Sequence, residues 1–302
     1  MLNLLELDDV SRMGFNSADY LHLHIEAKKL AFADRAKFYA DPEFGGPSPA
    51  LVQALISKEY AATRHKLINM SRAARRVPPG APPSEAAVRL GFPQTAAAQS
   101  LDQTGADTMY LTVADENGTM VSLIQSNFAN FGSGLVVPEL GFALQDRGAL
   151  FNMAPGAANQ YQPGKRPFHT IIPGFATRYD AAGAEQPWLA FGVMGGNIQP
   201  QGHAQIICNL VDFGMGLQEA GDAARYTHSG SSQPTGQVMD DGGDVQLEGG
   251  VCPSVERELA RRGHRVSRGP NHGGYQAIML DDEQGCYVGA TEMRKDGVAA
   301  GY

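Results

Sequence analysis

The chain has 302 residues, of which 43% are hydrophobic and 19% charged, and its formal net charge at pH 7 is -8. This composition is ordinary for a globular protein of one or two domains. The acidic balance argues against nucleic acid and anionic membrane surfaces as partners, because both select concentrated Lys and Arg. The one basic cluster, at 72–76, is short and isolated.

The sequence contains no apolar run near the ~18 residues that suggest a membrane span, and no basic-then-apolar leader. Its three cysteines, Cys208, Cys252 and Cys286, are widely separated and lack the spacing of a zinc site or a disulfide framework. Cys208 lies in an apolar stretch and is expected to be buried. The histidines form no HExxH pattern, and His22 and His24 fall on different helical faces. We therefore expect no metal and no cofactor.

The first hundred residues are predicted to hold two long helices and a linker. Asn16 or Ser17 can cap a helix that runs to about Tyr39, with apolar residues sharing one broad face, and Asp41-Pro42 ends it. A second helix is predicted from Ser57 to Asn69. Residues 77–107 contain five prolines without sustained periodicity, which indicates a mobile linker.

From residue 108 onward, strands and helices interleave. Two strand-like runs, 108–114 and 119–126, flank Glu116-Asn117-Gly118, a sequence typical of a hairpin turn. The next predicted elements are a strand at 188–193, helices at 203–213, 217–226 and 253–262, and strands at 266–267, 276–280 and 287–290. This order predicts a layered α/β protein.

Thr108 lies at the boundary between the segment that contains the five prolines and the first predicted strand. A threonine that begins a strand is ordinary β-propensity. However, cleavage of the Asp107–Thr108 bond would give this residue a hydroxyl nucleophile and its own α-amine as base. Because an α-amine titrates near ~8, it can accept a proton at neutral pH. The residues alone do not decide between a threonine that only begins a strand and a threonine that becomes an N-terminal nucleophile.

Several ordered segments resemble the gamma-glutamyltranspeptidase family, which are self-processing N-terminal-nucleophile hydrolases. The similar segments lie at 110–118, 130–134, 163–167, 192–196, 209–215 and 294–302, with two more at 16–22 and 29–35. The resemblance implies a four-layer αββα sandwich, incomplete at the N-terminus. It also implies that residues 1–107 correspond to the end of a large subunit, and 108–302 to a small-subunit-like catalytic region, together forming one domain.

By this resemblance Thr108 aligns with the family's catalytic threonine, and Asp107–Thr108 with its self-cleavage site. Gly195 and Gly196 align with paired glycines whose N–H groups face the oxyanion, although a tight strand-to-helix turn would also need glycine. Ser126 occupies the place of a second hydroxyl that holds the threonine amine, and it could equally be a hydroxyl at a strand end.

At the positions where the family resemblance places substrate-binding residues, this chain has different side chains. Phe128 replaces an asparagine, Leu150 replaces the acidic residue that grips a glutamyl amino group, and His169-Thr170 replace two serines. Because a pocket built from polar groups discriminates strongly, these changes predict an acyl group other than γ-glutamyl. His169 could contact a polar acyl group or be a core histidine.

The resemblance therefore predicts a gamma-glutamyltransferase-like amide hydrolase or acyltransferase that cleaves itself before Thr108. An acylase for another N-acyl amide and a truncated, non-catalytic remnant are the alternatives. The expected substrate is a small amide or peptide. A homodimer, or a missing N-terminal segment, is expected to cover faces left exposed by truncation. The compartment is open: cytoplasmic as the chain stands, periplasmic or secreted if the missing part carries a signal.

Overall fold

A computed structural model describes residues 1–83, 106–180, 182–270 and 272–301. The chain divides into two compact units. The first unit comprises Met1–Asp102, Asp146–His169 and His228–Arg268, and the second comprises Gln103–Gln145, Thr170–Thr227 and Gly269–Tyr302. Most of the predicted linker, residues 84–105, lies outside the described residues. No helix in the described ranges is both long and apolar enough to cross a bilayer.

The first unit is built around one long helix. Its α-helices in the described ranges are α1 (Leu2–Leu5), α2 (Val10–Met13), α3 (Ala18–Phe38), α4 (Pro49–Leu55), α5 (Lys58–His65) and, later in the chain, α8 (Pro253–Arg261). The Ser17 side chain caps α3 by accepting a hydrogen bond from the Tyr20 N–H at 3.1 Å. This agrees with the cap predicted from the sequence.

Helix α3 is buried on all sides, whereas the sequence predicted one apolar face. Leu21 and Ile25 are fully buried, but Lys28 and Lys29 on the same helix are each only 1% exposed. Both ammonium groups have partners within the unit. Lys29 lies 2.8 Å from the Glu26 carboxylate, and Lys28 donates to the His228 carbonyl at 2.8 Å. Because these partners satisfy the charges, the polar face of α3 is buried as well.

The first unit also contains two parallel strands, β6 (Asp244–Leu247) and β7 (Arg265–Arg268). They belong to a three-stranded sheet in the order β5-β6-β7, in which β5 is Tyr226–Ser229. The sequence predicted helix as far as Tyr226. The helix in fact stops at Asp222, where Ala223 leaves helical geometry, and the chain then extends into β5.

The second unit contains two antiparallel sheets. One is the hairpin of β1 (Ala106–Ala114) and β2 (Met120–Ala129), and the other has the order β3-β4-β8-β9. These four strands are β3 (Gly174–Tyr179), β4 (Glu185–Met194), β8 (Gly274–Asp281) and β9 (Cys286–Thr291). Two helices complete the unit, α6 (Ile198–Val211) and α7 (Leu217–Asp222).

Strand β4 separates a helical layer from the β1–β2 hairpin. Phe191 and Val193 join the core formed with Ile198 and Ile206 of α6. Between them, Gly192 turns to the opposite face, where the Tyr110 ring of β1 packs directly against it. Since side chains alternate across a strand, α6, the four-stranded sheet and the hairpin form three successive layers within this unit.

The predicted hairpin turn is confirmed, since Gly118 adopts φ +87° between β1 and β2. Cys208 is confirmed as buried, at 1% exposure. Three helix boundaries were wrong, including the end of α7, and the sequence did not predict α4, β3, β5 or β6. Helix α6 begins at Ile198 rather than 203, because Pro200 lies in its first turn, where proline is tolerated. Helix α5 ends at His65 rather than at Asn69.

Candidate active site

Thr108 lies in β1 opposite Ser126 of β2. The pairing register shifts between Asp107 and Thr108, because Asp107 pairs with Phe128 and Thr108 with Ser126. Asn127 is therefore the extra residue of a β-bulge. Bulges interrupt the ladder locally and re-aim side chains. The bond predicted to be cleaved thus lies at an irregularity of the hairpin, and β1 is continuous through it.

The two hydroxyls expected to work together are in contact. Thr108 is half-buried, and its Oγ1 donates a hydrogen bond to Ser126 Oγ at 3.0 Å. Ser126 Oγ also accepts the backbone N–H of Phe128 at 2.9 Å. Because two donors bind to it, the Ser126 oxygen is held in place. The hydrogen bond to this oxygen in turn fixes the orientation of the Thr108 hydroxyl.

Phe128 has an unusual backbone conformation, with φ +79°. Positive φ in a bulky aromatic residue is an outlier that costs free energy and needs support from its surroundings. The hydrogen bond from its N–H to Ser126 Oγ supplies such support. Asn130, two residues on, also has positive φ at +45°, a conformation that asparagine tolerates more readily.

Gly195 and Gly196 form the turn between β4 and α6. Their φ angles are +126° and +70°, both in the region that favours glycine. A Cβ on Gly195 would lie 2.9 Å from Ile198 Cγ2 and 3.0 Å from Gly273 Cα, so that position also lacks space for a side chain. The turn opens directly into a 14-residue helix, whose N-terminus favours negative charge.

Gln199 was not singled out from the sequence, yet it connects this turn to the predicted substrate position Thr170. Its Nε2 donates to the Thr170 carbonyl at 3.0 Å, and its Oε1 accepts the Ile172 N–H at 2.9 Å. Gln199 is 1% exposed. A glutamine in the first turn of a helix carries no sequence signal for such a role, since only the fold brings residues 170–172 beside it.

The remaining predicted substrate positions, His169 and Leu150, belong to the first unit. His169 is exposed at the surface, but protein surrounds part of its ring. That partial desolvation, and then the nearby Arg147 cation, lower its pKa. Leu150 is 1% exposed, and its carbonyl accepts the side-chain amide of Asn159 at 2.8 Å. The Leu150 side chain is thus packed inside the first unit.

One buried group in the first unit has the composition of a metal site, namely His22, Glu26 and His264, whose ligand atoms lie within 4.8 Å of one another. Protein partners already engage all three. His22 Nδ1 is 2.7 Å from His264 Nε2, and Lys29 is paired with Glu26. Burial, then the Lys29 charge, lower the pKa of His264 to about 2, which keeps its ring neutral. A hydrogen-bonded network accounts for the cluster, and we assign no metal to it.

Comparison with known proteins identifies the family. A family profile described as Gamma-glutamyltranspeptidase matches residues 1–302. The Acylase ACY 1 proenzyme of Pseudomonas sp. (strain SE83) is 35% identical over 299 residues, which cover 98% of this chain and 46% of that proenzyme. The Glutathione hydrolase proenzyme of Bacillus subtilis (strain 168) is 29% identical over 303 residues, covering 100% of this chain and 48% of that proenzyme.

Among solved structures, the cephalosporin acylase from Bacillus halodurans matches with a TM-score of 0.76 and 36% identity, over 100% of this chain and 49% of that one. The mixed α/β fold therefore matches a known acylase over part of its length. The chain spans about half the length of the curated relatives it matches. With its whole length matched by the family profile, the chain belongs to the gamma-glutamyltranspeptidase family of N-terminal-nucleophile hydrolases.

Proposed function

We propose that this chain carries the catalytic centre of an amide hydrolase or acyltransferase that cleaves itself before Thr108. The observation that carries the proposal is the 3.0 Å hydrogen bond between Thr108 and Ser126, located at a bulge beside the Asp107–Thr108 bond. In the same proposal the chain forms most of a four-layer αββα sandwich. Residues 1–107 correspond to the end of a large subunit, and 108–302 to a small subunit.

Self-cleavage begins when Thr108 Oγ attacks the carbonyl carbon of Asp107. The peptide C–N bond breaks as the ester C–O bond forms, and the proton from the hydroxyl is transferred to the departing nitrogen. Water then hydrolyses the ester, which leaves Asp107 with a free carboxylate and Thr108 with a free α-amine. The hydrogen bond to Ser126 orients the Thr108 hydroxyl before this attack.

In turnover the Thr108 α-amine acts as the general base for its own hydroxyl. The oxygen attacks the substrate amide, and negative charge develops on the carbonyl oxygen. The N–H groups of Gly195 and Gly196 are proposed to stabilise that charge, assisted by the N-terminus of α6. Loss of the amine leaves an acyl ester on Thr108, which water hydrolyses or an acceptor amine captures.

The acyl group is proposed to be one other than γ-glutamyl. Phe128 and Leu150 supply no charge or hydrogen-bonding side chain at positions where the family resemblance places polar groups. The proenzyme with 35% identity to this chain is named an acylase, whereas the glutathione hydrolase of Bacillus subtilis is 29% identical. A γ-glutamyl substrate remains the second candidate because glutathione hydrolases are also among the relatives.

Denaturing electrophoresis with intact-mass measurement tests the proposed cleavage. The purified chain should yield two fragments that meet between Asp107 and Thr108. Thr108→Ala should remain intact, and Thr108→Ser should still cleave because a hydroxyl is retained. Ser126→Ala should slow cleavage by about tenfold, equivalent to roughly 1.4 kcal/mol. A single full-length species after prolonged incubation would instead indicate a non-catalytic remnant.

A panel of acyl anilides tests the acyl group. With the cleaved protein, γ-glutamyl anilide should turn over more slowly than anilides that lack the α-amino group. The Thr108→Ala protein serves as the blank. Efficient and selective γ-glutamyl turnover would show that the substitutions at Phe128 and Leu150 do not exclude that substrate.

A further inference from the structure

Strand β4 extends beyond the start of its partner β3. Their pairing begins at Gly174, which lies opposite Phe191, whereas β4 continues to Met194. Within the described residues, the end of β4 therefore has a neighbouring strand on the β8 side and none on the β3 side. This gap in the sheet directly precedes the Gly195-Gly196 turn.

The backbone of Val193 points into the gap. Val193 lies opposite Tyr275 of β8, and the Tyr275 carbonyl accepts the Glu292 N–H from its other side at 3.3 Å. Since hydrogen-bonded and non-hydrogen-bonded pairs alternate along antiparallel strands, Val193 and Tyr275 form a non-hydrogen-bonded pair. The N–H and C=O of Val193 therefore face the β3 side. Residues two apart on a strand point the same way, so an extended β4 would aim the Gly195 N–H to that side as well.

A continued ladder would occupy the glycine turn. At the observed register, Ile172 would lie opposite Val193 and would exchange two N–H···O bonds with it. Thr170 would lie opposite Gly195, and its carbonyl would accept the Gly195 N–H. That N–H is one of the two donors proposed to stabilise the oxyanion. A donor that is already bonded within a sheet is not preorganised for a reacting carbonyl oxygen.

Two side chains of α6 bind the groups that this ladder would use. Gln199 Nε2 donates to the Thr170 carbonyl at 3.0 Å, and its Oε1 accepts the Ile172 N–H at 2.9 Å. The Val193 N–H donates to His203 Nε2 at 3.0 Å. Burial lowers the pKa of His203 to about 4, so its ring is neutral at pH 7 and Nε2 can accept. Because Gln199 and His203 are four residues apart, they lie on one face of the helix.

The N–H groups of the glycine turn are thus left outside the sheet. Among the described residues, the structure gives neither the Gly195 N–H nor the Gly196 N–H a protein acceptor. Gly195 is exposed and Gly196 is partly exposed. The contacts of Gln199 account for this arrangement, because they hold the Thr170 carbonyl on another donor.

We propose that Gln199 and His203 are positioning residues that keep the Gly195 N–H out of the sheet and available to the reacting carbonyl oxygen. Each acts through the backbone that it holds, and neither contacts the substrate in this proposal. The catalytic part of the inference rests on the proposed function. The blocked strand pairing depends only on the contacts described above.

Amide hydrogen exchange tests the blocked pairing independently of catalysis. It is followed at Gly195 by nuclear magnetic resonance in the Thr108→Ala chain, so that the measurement does not require cleavage. Without further change, Gly195 should exchange within about tenfold of the rate of an unprotected amide. In Gln199→Leu the released Thr170 carbonyl should bind the Gly195 N–H and slow its exchange at least about tenfold. Gln199→Glu keeps an acceptor for the Ile172 N–H but loses the donor to Thr170, and it should slow exchange less.

Gln205→Leu is the matched control. Gln205 is also buried in α6, at 3% exposure, and it exchanges two hydrogen bonds with the backbone of Tyr226. Its replacement should lower the free energy of unfolding by a similar amount, yet leave exchange at Gly195 unchanged. His203→Leu releases the Val193 N–H and, when added to Gln199→Leu, should slow the exchange of Gly195 further.

Turnover tests the consequence for catalysis. With the cleaved protein and an acyl anilide, Gln199→Leu should lower kcat by about 100-fold, the effect of losing one oxyanion donor. KM should stay within about twofold of the parent value, because the lost interaction forms only in the transition state. Gln205→Leu should retain both parent values, which a general effect of destabilising α6 would not allow.

Three results would overturn the inference. They are a Gly195 amide that is already protected before Gln199 is changed, exchange that neither Gln199 variant slows, and an active protein in which Gln199→Leu leaves kcat unchanged. If Gln199→Leu does not fold, the comparison of Gln199→Glu with Gln205→Leu decides. A parent without turnover, together with slowed exchange in the Gln199 variants, would refute the proposed function and support the blocked pairing.

Discussion

Replacing Gly192 with alanine should separate the two sheets of the second unit. An added Cβ would lie 2.4 Å from Tyr110 Cδ2 and 2.6 Å from both Cε2 and Cγ, far inside contact distance. The ring cannot easily move away, because Tyr110 is 4% exposed and its hydroxyl lies 2.7 Å from Ser122 Oγ. One methyl group must therefore push β1 away from β4.

Overpacking of this kind costs about 1–3 kcal/mol. In domains of 150–250 residues, each kcal/mol lowers the unfolding temperature by roughly 2–4 °C, so a fall of several degrees is expected. Cleavage before Thr108 should slow as well. Thr108 lies two residues before Tyr110 on the same face of β1, and a displacement of about 1 Å at a reacting group can cost ~100-fold in rate.

Thermal unfolding and the intact-mass time course measure the two effects. Gly249→Ala is the control, because a Cβ there meets no atom within 4 Å. Tyr110→Ala should itself destabilise the protein, but adding Gly192→Ala to it should cost less than in the parent, since the clashing ring is gone. An unchanged unfolding temperature for Gly192→Ala, or strictly additive costs in this cycle, would refute the packing argument.

Three further predictions concern single side chains. Burial lowers the pKa of His203 to about 4. The stability contributed by its neutral ring is therefore complete above pH ~6.5 and declines as the pH falls toward 4. In urea unfolding, His203→Gln should lose less stability over that pH interval than the parent. Arg166 holds the pKa of the Asp41 carboxyl well below its usual range. Arg166→Met should therefore destabilise the protein more at pH 7 than at pH 3, because at pH 3 that carboxyl is protonated in the unfolded chain. An equal loss of stability at both pH values would contradict this. Phe128→Gly relieves the strain of positive φ, about 1–3 kcal/mol, but glycine costs about 0.5–1 kcal/mol in chain entropy. In urea unfolding the free energy of unfolding should therefore rise by at most about 2 kcal/mol, whereas Asn130→Gly should change it little.

Local sequence rules predicted the elements whose signals lie within a few residues. The Ser17 cap, the Asn117-Gly118 turn and the end of α3 before Pro42 each depend on neighbouring backbone geometry, and the structure contains all three. Strand β3 had no comparable signal. Its side chains alternate only weakly, and pairing with β4 is what holds it extended.

The candidate site was predictable only through resemblance. Thr108 and Ser126 are 18 residues apart, and a hairpin with a bulge at Asn127 places their oxygens 3.0 Å apart. Without the bulge, β1 and β2 would pair in a uniform register, and Thr108 would lie opposite a residue other than Ser126. The burial of Lys28 was equally hidden, because its partner His228 lies 200 residues further along the chain.

The bulge at Asn127, opposite the Asp107–Thr108 bond, divides the hairpin unequally. On the amino-terminal side, the paired residues that the structure describes are Ala106 and Asp107, opposite Ala129 and Phe128, while the run from Thr108 to Ala114 is paired throughout. After cleavage between these two parts, the new carboxyl end would be held to β2 by the pairing of Ala106 and Asp107, which can separate from that strand. The new amino end would remain anchored along the full length of its strand, so the amine would be created where the hydroxyl already points, with no refolding needed to bring them together.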